Sequence, residues 1–267
     1  MRTDLACERC ACPCRFPQHE KVIVNSQSVS RPGTRRQKAA VIGAAAWIVN
    51  AVQFLAVQLI VASHWRTPYG WRGNNISDLG NVHCGMWDDS RPRYVCSPLH
   101  GLMNASFAAQ GVLLLAGTLL TAVHWGRGRV SWSARILFAV SSGAWILVGL
   151  APADVHEDLH VLGALLIMGV GNIGLLLAGC TPRGSLFGRL RAAAFGIGAL
   201  AVAAAGMFFT RHDPGLGLGS LERVAAFGPQ LWTLVVALAV LRAHASRRRR
   251  RPNRVGQEMA GEHVMTS

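Results

Sequence analysis

Six stretches of the chain contain no Asp, Glu, Lys or Arg: residues 39–62, 98–123, 136–151, 161–179, 192–209 and 224–241. Crossing a hydrocarbon layer ~30 Å thick takes roughly 20 apolar residues at a rise of about 1.5 Å each. Four of the stretches reach or approach that length, while the third and fifth need uncharged flanks or a locally thinner bilayer. Only helices and closed barrels satisfy every backbone group in lipid, and runs this continuous are too long for barrel strands. The predicted fold is therefore all-α, an integral membrane bundle of six transmembrane helices. A flexible arm (1–38) precedes the bundle (39–243), and a basic tail (244–267) follows it.

The net charge of +14 invites a nucleic-acid reading, and Arg247–Arg251 looks like a suitable patch. No aromatic or folded binding module accompanies it, so no nucleic-acid partner is expected. The placement of the charge gives a better account. With an even number of spans both termini share one side, and 21 of the 27 Lys and Arg residues fall there. The positive-inside rule then puts both termini in the cytoplasm, in a protein of the cell membrane. Membrane lipids are the expected partners of the tail, each cation near anionic head groups contributing about 1 kcal/mol. Asp78, Asp88, Asp89, Asp154, Glu157, Asp158, Asp213 and Glu222 fall on the opposite, outer side. Acidic residues do little to set topology, but they mark the outer face as the working face.

The arm carries no apolar core of the kind a signal peptide needs. Its Cys7, Cys10, Cys12 and Cys14 lack the second, distant ligand pair of a zinc ribbon. The outer loop 63–97 holds Trp65, Tyr69, Trp71, Trp87 and Tyr94, which favour a membrane interface and predict a loop folded back onto the membrane surface. In an oxidising compartment its Cys84 and Cys96 would form a disulfide, worth roughly 3 kcal/mol against loop unfolding. Ser97 before Pro98 suits an N-cap for the second helix. Gly228-Pro229 should kink the sixth. The amides of Asn50, Gln53, Gln58, Asn104 and Asn172 lie within spans and are expected to hydrogen-bond to neighbouring helices.

His156-Glu157-Asp158-Leu159-His160 matches H-E-x-x-H, the zinc-protease pattern. A plainer account is available. Asp154 is a good N-cap with Glu157 at the capping-box spacing, and Glu157 and Asp158 complement the dipole of a helix starting near Val155. A zinc site would need a third ligand, for which His212, Asp213 and Glu222 are candidates, and the metzincin continuation is missing. Intramembrane proteases pair such a motif with an aspartate in a later span, which helices five and six lack. A haem would want paired histidines on facing helices; His100 and His160 form one such pair, and His124 is left unmatched. No ionisable residue sits mid-span, which disfavours ion transport but leaves movement of a lipid or neutral solute open.

Several segments occur together in order: "NNISDLGN" (74–81), "CSPLHGLMNASF" (96–107), the turn Pro152–His160 with "HVLGALL", "GN" (171–172) and "GLGLGSLER" (215–223). Together they resemble the six-helix bacterial membrane family known as domain of unknown function 998, over about residues 39–243. The resemblance implies a polytopic membrane protein without a settled activity. It favours His160 over the His156-Glu157 pair and leaves the cysteine-rich arm outside the family pattern.

Asn75, Ser77, Asp78, His100, His160, Glu222 and Arg223 are expected at one membrane level at or near the outer face, with Asn104 a turn or more deeper. In the first reading they form a polar site that binds a lipid head group or small ligand, or join the loop to the bundle, with Asp78 paired to Arg223 or accepting backbone N–H groups. In the alternative they form a metal-dependent hydrolase acting on lipid at the outer leaflet. Asp78, His100 and His160 would then hold zinc, with Ser77 as a further catalytic candidate.

Overall fold

The computed structural model describes residues 34–249, so the four arm cysteines and the end of the basic tail lie outside the described residues. Among the described residues six helices are long and apolar enough to cross a membrane. They are α1 (Thr34–Ser63), α2 (His100–Leu120), α3 (Arg129–Leu150), α4 (Glu157–Gly179), α5 (Arg191–Phe209) and α6 (Leu218–Arg249). The chain is a multi-pass, all-α membrane protein. Each helix packs on the next, and α6 closes on α1, so the six make a ring whose centre is filled by side chains. Phe54, Phe107, Trp145 and Phe227 meet there, with Phe54 5.8 Å, 5.1 Å and 5.8 Å from the other three rings.

The third span is longer than its charge-free stretch because α3 begins at Arg129 and carries Arg135 within its second turn. Long basic side chains at a helix end keep their charge in water while their methylenes cover apolar surface. The fifth span, at 19 residues, stays short. Two predicted caps are not made. Helix α2 starts at His100 with Leu99 as its N-cap, because the Ser97 hydroxyl donates to Leu79 O in the preceding loop at 2.7 Å. Helix α4 starts at Glu157 with His156 as its N-cap. Asp154 instead accepts from the N–H groups of Val82 and His83, at 3.0 and 2.7 Å. At both positions a tertiary partner displaces a local one.

Two irregularities meet inside the bundle. Residues Leu166–Val170 form a π turn within α4. Helix α6 continues through Pro229, which has no N–H to offer Ala225 O. Asn172 Nδ2 supplies the missing donor, reaching Ala225 O at 2.9 Å and Met168 O, at the π turn, at 2.7 Å. Neighbouring side chains satisfying carbonyls freed by proline are what allow such breaks in lipid.

The long loop between α1 and α2 holds a 3-10 turn (Ser77–Gly80) and an antiparallel hairpin, β1 (Gly85–Trp87) with β2 (Arg93–Val95). A Cys84–Cys96 disulfide staples the hairpin base, with Cα atoms 4.2 Å apart. Trp65 and Tyr69 pack edge to face at 4.8 Å, and Trp65 is buried. These aromatics contribute to the protein's own core at this end of the bundle.

Candidate functional site

The loop is locked down by a small number of buried polar groups. Asp78, 1% exposed, accepts from Arg93 Nε and Nη2 at 2.7 and 2.6 Å, from Asn75 N at 2.9 Å and from Asn74 Nδ2 at 3.3 Å. Its cation is therefore Arg93 and not Arg223, because β2 runs directly past the 3-10 turn. Arg223 does other work. It donates to Trp71 O, Asn74 O, Gly219 O and the Tyr69 hydroxyl, and its guanidinium lies 5.5 and 5.0 Å from the Tyr69 and Trp71 ring centres. Burial pushes the Tyr69 phenol above its ordinary pKa, against the lowering effect of Arg223. It stays protonated and donates to Asn75 O at 2.8 Å.

Three of the segments singled out in the sequence thus bind one another. Ser97 and Asn104, from the second segment, donate to Leu79 O and Gly80 O of the first, at 2.7 and 2.9 Å. Glu222, from the last, accepts from Ile76 N at 2.5 Å. Gly217 has φ +88° and lies so close to Arg72 O that no side chain fits there, and Gly219 N donates to the same oxygen at 2.9 Å.

Behind this lock lies a cleft of about 680 Å³. Its roof is the hairpin and the turn after α5, carrying Asp88, Arg91, Arg93 and Arg211. Its floor holds Asn75, Ser77, His160 and Glu222, and its side wall is Val161, Ala164, Phe208, Phe209 and Leu218. The first half of α4 packs on α3, and only beyond the π turn does α4 pack closely on α5 and α6. The gap so left at this end is where the apolar wall lies. Below the floor a narrow cavity of about 30 Å³ continues inward past His160, Glu222 and Ser77 to Phe107, Trp145, Met168 and Ala226.

Of the residues predicted for the site, Asn75, Ser77, His160 and Glu222 share this cleft, whereas Asp78, His100, Asn104 and Arg223 do not line it. The metal set is not assembled. Asp78 is engaged by Arg93, and His100 Nδ1 lies 3.0 Å from Ser97 O. His160 Nδ1 lies 2.8 Å from Ala151 O, and the residue lines the cleft. No group of three His, Cys, Asp or Glu side chains placed to hold a metal occurs among the described residues. In the H-E-x-x-H match His156 is the N-cap of α4, at φ −135° with its carbonyl accepting from His160 N at 2.9 Å, so the two histidines do not share a run of helical backbone. Of its proposed third ligands, Asp213 caps Gly215 N and Gly217 N in an exposed turn. Helices α2 and α4, which carry His100 and His160, do not pack closely on one another, since α3 lies between them in the ring.

Sequence reasoning missed Arg91, Arg93 and Arg211. A signal was present, as they are three of only six basic residues on this side of the chain. Arg211, at φ 55°, reaches Asp88 at 3.0 Å and Ser90, tying the roof together from both sides. Burial works against ionisation of Asp88, but Ser90, Arg211 and Arg93 outweigh it and hold its carboxyl below the ordinary value. At Asp154 burial is likewise outweighed, here by the N–H groups of His83 and Val82. Carboxylates with depressed folded values contribute stability that is present above their unfolded value and lost as pH falls through the folded one. Protection of the Val82 and His83 amides, measured against their intrinsic exchange rate at each pH, is therefore expected to be high at neutral pH and to fall as pH drops below 3.8, the ordinary value for Asp154. Protection that persists far below that pH would show that Asp154 does not hold these amides.

Fold and cleft together define a multi-pass membrane protein with a cavity of mixed charged and apolar lining at one end of a six-helix ring. The chain belongs to the family described as "Protein of unknown function (DUF998)", which matches residues 33–239. Neither a curated protein nor a solved structure matches it.

Proposed function

We propose that the cleft binds a membrane lipid or lipid-like amphiphile, head group under the hairpin and chain leaving sideways between α4 and the α5–α6 pair. One observation carries this reading: a cavity of about 680 Å³ joins a charged roof and floor to an apolar wall at a gap between helices. A soluble metabolite has no use for Phe208, Phe209, Val161 and Leu218 at the mouth, whereas an acyl chain does. The lining carries Arg91, Arg93 and Arg211 together with Asp88, Asp89, Glu157 and Glu222. That mixture of signs suits a head group bearing both charges better than a purely anionic one. The bias of Lys and Arg toward the two termini supports an outward-facing cleft in the cell membrane.

The test is lipid retention. Protein exchanged through mild detergent is expected to keep bound phospholipid, detected by mass spectrometry. Ala164→Phe, which fills the cleft between wall and floor, is expected to lose it while keeping the thermal midpoint of the parent. Equal lipid content in parent and variant would overturn the proposal.

A further inference from the structure

One helical turn below the narrow cavity, five of the six helices bring an uncharged polar side chain to the centre of the ring. From the cavity wall, Phe107 leads to Gln110, Trp145 to Ser141, Met168 to Asn172 and Ala226 to Gln230. On α1, Phe54, against the rings of Phe107 and Trp145, leads to Asn50. The register of α1 on α2 fixes the pairing. Trp47 Nε1 donates to Leu114 O at 3.2 Å, and Ser106 Oγ donates to Gln53 Oε1 at 2.8 Å, which sets Asn50 opposite Gln110 between them. On the other side a Cβ at Gly171 would lie 2.7 Å from Ser141 Oγ and 3.5 Å from Pro229 Cγ, so α3, α4 and α6 meet at one level.

Asn50, Gln110, Ser141 and Asn172 are fully buried and Gln230 is 4% exposed. The following have no protein partner: both amide atoms of Asn50 and of Gln110, Ser141 Oγ, Asn172 Oδ1 and Gln230 Nε2. Gln53, one turn from Asn50, is by contrast satisfied by Ser106. Native proteins rarely leave buried polar atoms without partners, and never cheaply. An Asn50–Gln110 amide pair would still leave the atoms of Ser141, Asn172 and Gln230 unmet. Three of these side chains offer NH₂ groups and four offer oxygens, with no formal charge among them. A cation would meet the NH₂ groups and an anion the carbonyl oxygens. A neutral molecule that both donates and accepts suits all of them. Water is the smallest molecule of that kind, and the narrow cavity one turn above, of about 30 Å³, has room for about two.

We propose that this ring of amides and hydroxyl is a second binding site, which holds water-sized, uncharged hydrogen-bonding molecules at the middle of the bundle. It is distinct from the cleft and does not depend on what the cleft binds.

The probe is water itself. The full-length protein in phospholipid nanodiscs is mixed with ¹⁸O-water and given a short X-ray pulse, so that hydroxyl radicals form wherever water resides, and oxidation is read by mass spectrometry. Rates are scaled by the intrinsic reactivity of each residue type. Trp47 and Phe138, just below the ring and buried, are expected to be oxidised several-fold faster than Phe187, the buried ring that packs against Trp47 at 6.5 Å one layer on. Asn50→Leu with Gln110→Leu is expected to bring Trp47 down to the Phe187 rate while Met168, on the cavity wall, stays labelled. Equal rates for Trp47, Phe138 and Phe187 in the unaltered protein would overturn the proposal, whether or not the variant folds. Labelling that survives in a folded variant would overturn the role of the amides. Lipid retention is read separately, so either result leaves the cleft reading where it stood.

Discussion

Arg93→Ala is expected to destabilise the hairpin end by ~3–5 kcal/mol, the range for removing one partner from a buried ion pair. The Asp78 carboxylate has side-chain exposure of 1% and the Arg93 side chain 11%, so water cannot replace the lost cation. What would remain on the carboxylate is Asn75 N–H and the Asn74 amide. Arg93 also reaches Asp88 at 3.4 Å, so the roof of the cleft would loosen with the loop. Thermal unfolding in detergent and proteolysis of the loop would read the effect. A companion variant, Asp78→Asn with Arg93→Met, removes both charges and is expected to recover most of the loss. A midpoint unchanged in Arg93→Ala would mean that the pair does not hold the loop.

The second large effect is expected at Gly111→Ala, in the contact between α2 and α3. A Cβ there would run into Ser142 O and lie 2.9 Å from Ile146 N. The contact is reciprocal, since a Cβ at Gly149 would lie 2.6 Å from Asn104 O and 2.8 Å from Ala108 N. Main-chain atoms cannot rotate away as a side chain can, so the helices must separate along much of their length. Overpacking of this kind costs about 1–3 kcal/mol or more, here compounded by the close approach that gives helices their attraction in lipid. Gly143→Ala is the internal control, because nothing lies within 4 Å of its Cβ position. It should be neutral or gain up to about 1 kcal/mol from helix propensity. Equal losses at Gly111 and Gly143 would refute this account of the packing.

The spans were legible because lipid makes length and charge almost the whole problem. Their ends were not, because the end of each helix is set by partners far away in sequence. Asp154 obeys every local rule for a cap and still turns to the loop amides of His83 and Val82, 71 and 72 residues earlier. Pairing Asp78 with Arg223 was reasonable on sequence order. It failed because the hairpin, whose three-residue strands give no usable period, carries Arg93 to the spot first. His160, Glu222, Ser77 and Asn75 were recognisable as conspicuous polar residues near helix ends. Phe208, Phe209 and Val161 were not, since an apolar residue lining a cleft and one facing lipid look alike in a sequence. Asn172 was expected to bond between helices and does so. Its pairing with Ala225 O could have been anticipated, since Pro229 leaves that carbonyl free.

The contacts that close the loop have a consequence for the order of events during synthesis. Ile76 N waits for Glu222, 146 residues later, and Trp71 O waits for Arg223, 152 residues later. When the first two helices have entered the bilayer, the segment between them has its disulfide and Arg93–Asp78 within reach, but not its final anchors. A nascent chain halted after α5 would present Trp71, Asn74 and Ile76 with unpaired main-chain groups and the Tyr69 and Trp71 rings without their cation. Among the described helices α6 is thus the last to leave the ribosome and the one that seals the first loop.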